Sequence, residues 1–418
     1  MLDGQSSRVV VVTGVGCVSA LGVGREMNWA RILEGAGGVV AIDRFETAGF
    51  PVTIAAQVTD FDPALYFEPK DARRTDRFIQ YAVAAAREAV EHGGLAIDTC
   101  TATRTGVIVG TAMGGLETFE NGVNTLNTRG PGRVSPFFIP MMLADMATGI
   151  VSIHLGAKGP NLATVSACAS GAHAVGEAAA TIARGDADAM IAGGSEAPIT
   201  PSGVAGFAAA GALSSRNDDP AHASRPFDRE RDGFVLGEGA AVLMLEALDI
   251  ALARGATPLA IVSGYATTAD ASHIVQPSAG GEGAARAMTL AIERAGLAPV
   301  DISYVNAHGT STRLNDAFET MSLKTTFGSA MPPVSSTKGA TGHMLGAAGA
   351  MEAAYSVLTI RDQILPPTIN YEVPDPECDL DYVPNEARQD LVTHVASNSL
   401  GFGGHNVSLV FSRYAPST

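Results

Sequence analysis

Short, continuously apolar runs alternate along this chain with longer stretches rich in alanine. Residues 8–13 (RVVVVT) read as a strand buried on both faces, because the run is apolar throughout and does not alternate. Residues 78–92 (FIQYAVAAAREAVEH) space their apolar positions for a helix. A second strand is expected at 106–110 (GVIVG), an extended segment at 161–167, a helix of small residues at 169–184 and a strand at 187–192. Residues 233–245 predict a hairpin pair. The order then recurs, with strands at 301–306 and 333–336, a helix at 342–361 and further strand character over 392–411. Strands taking turns with helices predict an α/β protein with largely buried sheets.

Two pairs of segments point to an internal duplication. TVSACASGAHAVGEAAA (164–180) matches PVSSTKGATGHMLGAAGAMEAA (333–354) as a short strand, a polar turn and a helix of small residues. GFVLGEGAAVLML (233–245) matches GFGGHNVSLVF (401–411) as Gly-Phe, a glycine turn and an apolar strand. The halves are expected at 1–258 and 259–418. No long linker separates them, so they should share one packed body.

Composition narrows the function. Lys and Arg total 27 against 43 Asp and Glu, a net charge of −16, which argues against binding nucleic acid or an anionic membrane through overall charge. With 46% hydrophobic and 17% charged residues the chain should be ordered. No apolar run approaches the roughly 18 residues of a membrane span, and MLDGQSS lacks a signal-peptide pattern. Cys17, Cys100, Cys168 and Cys378 are scattered, unsuited to a disulfide framework or a zinc site. A cytoplasmic protein is expected, with no metal. The chain chooses arginine over lysine, keeping only Lys70, Lys158, Lys324 and Lys338.

Four residues carry candidate chemistry. The glycine cluster TGVGCVSALG (13–22) has Ser19 where a dinucleotide fingerprint needs glycine, so it reads as a tight turn beneath a helix. Cys168 stands at the strand-to-helix corner of TVSACASGAHAVG, where the helix dipole and free N–H groups should favour thiolate. His308 (VNAHGTST) and His343 (KGATGH) lie at strand ends beside glycine and hydroxyl residues, without partners at metal-ligand spacing. Paired imidazoles near a thiol suit acid, base or hydrogen-bond-donor work. Lys338, in the turn leading to His343, implies a compact ammonium where a guanidinium would not serve.

The segments RVVVVTGVGCVSALG, TVSACASGAH, SRPFDRERDGFVLGEGAA, VNAHGTST, SSTKGATGHMLGAAGAMEAA and SLGFGGHN, in this order, resemble the β-ketoacyl-acyl carrier protein synthases. These are condensing enzymes of the thiolase superfamily, and the chain is most similar to the synthase II type of bacterial fatty acid synthesis. The resemblance runs from about residue 8 to residue 412. It implies a thiolase-like fold, two similar halves in five layers alternating helix and sheet, and a homodimer. It places the nucleophile on Cys168, the histidine pair on His308 and His343, and the lysine on Lys338. Thr310 and Thr312 become contacts for a phosphopantetheine arm, Phe402 a gate, and Met113 and Phe207 walls of an acyl pocket. Four places depart from the family pattern: Ala169-Ser170-Gly171 for Ala-Thr-Gly, Arg313 where relatives often carry Pro, Lys338-Gly339-Ala340-Thr341-Gly342-His343 for Lys-Ser-Met-Thr-Gly-His, and Gly211 where synthase II commonly has a docking arginine.

The resemblance implies decarboxylative condensation of malonyl-acyl carrier protein with an acyl chain held on Cys168, without cofactor. Medium to long acyl chains are expected. A degradative thiolase would need a second catalytic cysteine where this chain has GFGGHN, and a short-chain initiating synthase would have Asn at His343. A non-catalytic chain-length partner would lack the nucleophile. A type II polyketide ketosynthase shares every chemical residue and remains open. The acidic carrier protein should dock on a local basic cluster, Lys70, Arg73, Arg74 and Arg77, with Arg129 and Arg133 as a second edge.

Overall fold

The computed structural model describes residues 8–416. The first half contributes β1 (Val10–Ser19), β2 (Thr105–Gly110), β3 (Asn161–Leu162), β4 (Ala189–Glu196) and β5 (Gly239–Ala247). The second contributes β6 (Ala260–Ala269), β7 (Tyr304–Asn306), β8 (Val334–Ser335), β9 (His394–Gly401) and β10 (His405–Ser412). They lie along one hydrogen-bonded path, β8-β7-β9-β10-β6-β1-β5-β4-β2-β3. Numbered within its own half, each set of strands has the order 3-2-4-5-1. The pairing senses repeat as well: β2 is parallel to β3 and β4 as β7 is to β8 and β9, and the other pairs are antiparallel. A short antiparallel contact, Val11 to Ile261 and Val12 to Ala260, joins the two sheets.

Five helices complete the layers: α1 (Arg77–Gly93), α2 (Ser170–Ala183), α3 (Glu282–Arg294), α4 (Arg313–Phe327) and α5 (Ala348–Asp362). α2 and α5 run between the sheets and touch strands of both halves, whereas α1 covers one outer face and α3 with α4 the other. The result is α-β-α-β-α. From Ala348 to Ile360 every residue of α5 is buried, as expected of a helix apolar all round. Small residues let the two central helices meet. A Cβ on Gly349 would stand 2.9 Å from the backbone nitrogen of Ala172, and one on Gly171 would stand 2.9 Å from that of Ala350.

Three local expectations change. The glycine cluster at 13–22 is largely the C-terminal part of β1 and not a turn. Its glycines serve packing: a Cβ on Gly14 or Gly16 would stand 2.0 Å from the carbonyl oxygen of Ala89 or Ala85 on α1. The hairpin expected at 233–245 is one strand, β5, because the residues before Gly239 bridge to other segments, Leu236 to His343 and Gly237 to Ala56. The helix expected from 342 begins at Ala348, preceded by a tight turn, and residues 338–341 form a helical turn of their own. Among the described residues no helix is long and apolar enough to cross a membrane.

Candidate active site

Cys168 follows Ala167, whose φ of 51° lies in the left-handed region that a residue with a Cβ rarely adopts. Two serines hold this elbow. The Ser166 N–H donates to Ser170 Oγ at 2.9 Å, and that hydroxyl donates to the Ala167 carbonyl at 2.6 Å. α2 begins at Ser170, so the thiol stands just ahead of the helix. The end of β9 passes against the elbow at Gly401, where an added Cβ would lie 2.8 Å from the Ser166 carbonyl oxygen and 3.3 Å from the Cys168 nitrogen. Backbone N–H groups of Phe402 and of Cys168 itself face the sulfur. Burial nevertheless pushes the thiol up to about 12, with Lys338 and those N–H groups pulling the other way. The thiolate expected from the helix dipole is therefore outweighed by desolvation of the buried sulfur.

Parallel register brings the other groups together. Asn306 on β7 pairs with Ser335 on β8, so the segments leaving these strands, with His308 and Lys338, emerge side by side. The Lys338 ammonium is 1% exposed. It donates to His308 Nδ1 at 3.3 Å, to the His308 carbonyl at 2.5 Å and to the Glu352 carboxylate. An ammonium has three N–H bonds and here meets three acceptors. Because Lys338 donates to Nδ1, the neutral His308 ring carries its proton on Nε2.

His343 is held by its backbone, its N–H donating to Val235 O at 2.7 Å and its carbonyl accepting from Gly237 N at 2.9 Å. The segment expected to be a hairpin strand thus splints the second histidine. The His343 ring meets His308 edge to face at 5.3 Å and Phe234 at 5.1 Å between centroids. Burial, reinforced by the Lys338 charge, holds both imidazoles well below their usual range, and His343 adds to the effect on His308. Two neutral rings therefore stand beside a buried ammonium.

Cys168, His308 and His343 open onto one cavity of about 540 Å³. Thr310 and Thr312 line it and pair through their hydroxyls at 3.0 Å. Met113, Phe207 and Phe402 complete its apolar wall, with Phe207 edge-on to Phe234 at 5.5 Å. The Lys338 side chain lies behind His308, outside the lining. The basic cluster stands apart from the cavity at the start of α1. Lys70 and Arg73 are exposed, Arg74 lies over the Phe137 ring at 4.2 Å, and Arg77 pairs with Glu117 at 3.1 Å.

Sequence reasoning passed over three residues of the site. Glu352 balances Lys338, Glu319 accepts the N–H groups of His308 and Gly309 at 2.7 Å each, and Phe234 packs on His343. Burial raises both carboxyls to about 7. A readable signal existed for Glu352, the one acid in the apolar run AGAMEAAYSVL. The partners of Glu319 and Phe234 are set by tertiary packing, and no local pattern marks them.

Known proteins align with this arrangement. Residues 7–251 match the family model described as beta-ketoacyl synthase, N-terminal domain, and residues 259–372 match the beta-ketoacyl synthase, C-terminal domain. The 3-oxoacyl-(acyl-carrier-protein) synthase 2 of Staphylococcus aureus (strain COL) is 52% identical over 412 residues, covering 98% of this chain and 99% of that protein. Its namesake from Synechocystis sp. (strain ATCC 27184 / PCC 6803 / Kazusa) is 49% identical, covering 97% and 98%. A beta-ketoacyl synthase from Burkholderia phymatum STM815 superposes with a TM-score of 0.91 at 38% identity, over 98% of this chain and 100% of that one. A type II PKS ketosynthase solved in complex with its acyl-carrier protein superposes at 0.90 with 34% identity, over 98% and 100%.

Proposed function

We propose that this chain, which belongs to the β-ketoacyl synthase family, is a 3-oxoacyl-acyl carrier protein synthase that elongates acyl chains in fatty acid synthesis. One observation supports it most: a cysteine on a strained elbow and two neutral imidazoles face a single apolar-walled cavity. In the first half-reaction the Cys168 sulfur attacks the thioester carbonyl of an acyl-carrier protein. The carrier thiol leaves with the proton, and the acyl group remains on Cys168. Backbone N–H groups of Cys168 and Phe402 offer donors to the oxyanion of the tetrahedral intermediate.

In the second half-reaction malonyl-carrier protein loses carbon dioxide. The electrons of the broken C–C bond enter its thioester carbonyl as an enolate. His308 and His343, both neutral, donate hydrogen bonds to that oxygen, and Lys338 acts as a positioning residue that sets the His308 tautomer. The enolate carbon then attacks acyl-Cys168, and collapse expels the sulfur and releases a 3-oxoacyl chain two carbons longer. Loss of carbon dioxide drives the step, so no metal, nicotinamide or flavin takes part.

The partner is an acyl carrier protein, docked at Lys70 and Arg73 with Arg74 and Arg77 behind them and Arg129 and Arg133 at a second edge. Thr310 and Thr312 contact its phosphopantetheine arm, and Met113, Phe207 and Phe402 receive the acyl chain. A homodimer is supported by the free edge of β3 and by exposed apolar side chains on the same half, Phe119, Leu126, Ile139, Leu162 and Val165. The proposed location is the cytoplasm. A type II polyketide ketosynthase is the second reading, supported by the superposition with such an enzyme, although identity there is 34% against 52% to the synthase 2 sequence.

The test is incubation with acyl-carrier proteins of graded length and malonyl-carrier protein, read by mass. The expected result is acyl on Cys168 alone, a product two carbons longer, and loss of both in Cys168→Ala. Acyl on another thiol, or turnover surviving Cys168→Ala, overturns the assignment.

A further inference from the structure

Among the described residues lining the catalytic cavity there is one lysine or arginine, Arg313. It is exposed, next to Thr312 on the cavity wall, and lies with Leu314 and Asn315 toward solvent. Its Nε donates a long bond, 3.4 Å, to the Arg231 carbonyl. Neither terminal guanidinium nitrogen has a partner among the described residues, and no carboxylate pairs with it. The two acids of the same lining are engaged elsewhere. Asp232 accepts from the Ser215 N–H and hydroxyl, and Asp270 accepts from Ser278 and Asn406. Gly211, across the lining, has open space around it and brings no charge.

Arg313 also breaks a local rule. It is the first residue of α4, so its cation sits at the positive end of the helix dipole, where acids are favoured. A residue that works against its own helix, with two free donors at a pocket mouth, fits a site for a bound anion. One N–H from each of these two nitrogens, in a planar fork, matches two oxygens of one phosphate.

We propose that Arg313 binds the phosphate of the carrier's phosphopantetheine arm. This rests on the condensing-enzyme reading above. That phosphate joins the arm to the carrier, and it must stay near the mouth while the thioester reaches Cys168. Thr310 and Thr312 line the path between these two points. Arg313 thereby fixes how deep the arm enters and is a positioning residue for both half-reactions.

The experiment uses two soluble donors that differ only in this group, acyl-phosphopantetheine and acyl-pantetheine. Acylation of Cys168 is followed by mass in the parent, Arg313→Ala and Arg313→Lys. The parent should favour the phosphorylated donor by about tenfold in kcat/KM, the low end for a charge-assisted contact at an exposed site. In Arg313→Ala the ratio of the two rates should collapse to about one, and Arg313→Lys should restore part of it. A ratio kept at the parent value in Arg313→Ala overturns the proposal, whatever the absolute rates. A parent ratio of about one overturns it too. If neither donor labels Cys168 in the parent while other thiols react, the underlying functional reading falls, and this inference with it.

Discussion

Replacing Lys338 with methionine removes one donor from three acceptors at once: His308 Nδ1, the His308 carbonyl and Glu352. The severe consequence falls on Glu352, 2% exposed on a helix buried along almost its whole length. Breaking a buried pair by removing one partner typically costs about 3–5 kcal/mol. Burial already lifts this carboxyl to about 7 with Lys338 pulling it down, so loss of the lysine moves it higher. An acid whose pKa is raised by folding contributes stability at low pH that is lost as pH rises through the folded value. Parent and Lys338→Met should therefore run parallel below about pH 7. Above it the variant keeps losing about 1.4 kcal/mol per pH unit relative to the parent, where this group has levelled off. Glu196, also raised to about 7 with no contribution from Lys338, titrates in both proteins and cancels in the difference. Lys338 also pulls Glu319 down, as the last of its causes, so loss of the lysine moves that carboxyl up as well. The assay is the urea midpoint from about pH 6 to about pH 9 for the parent, Lys338→Met and the double variant Lys338→Met/Glu352→Gln. The double variant should lose most of the extra slope, because a glutamine cannot ionise, and keep only the smaller part that Glu319 contributes. A difference independent of pH, or a slope that Glu352→Gln leaves undiminished, refutes the argument.

His343→Ala should still form acyl-Cys168 but release carbon dioxide from malonyl-carrier protein on the order of 10²–10³-fold more slowly, the usual cost of one oxyanion donor. Lost acylation with normal decarboxylation would contradict the division of labour. Met113→Phe narrows the cavity wall, so long acyl donors should lose rate while short ones do not; an equal loss at every length would mean damaged packing instead.

By itself the sequence determined whatever depends on neighbours along the chain. Alternating apolar runs and alanine-rich stretches announced buried strands and helices, since burial periodicity is a local property. The duplication was legible in paired motifs, and the identical strand orders of the two halves express it in space. Cys168, His308, His343 and Lys338 were readable from turn residues at strand ends. Tertiary structure decided the rest. Gly14 and Gly16 looked like a turn and prove to be seats for α1, because only the packed helix shows what a Cβ would strike. Residues 234–237 looked like half a hairpin and instead hold His343, a pairing between segments about a hundred residues apart. Helix-dipole logic favoured a thiolate at Cys168, but desolvation depends on everything packed around the sulfur. The proton position on His308 depends on Lys338, and the place of Lys338 depends on Glu352 from the central helix. Residue types and local geometry can be written in one dimension; charge balance in a dry interior is set by which distant segments fold against each other.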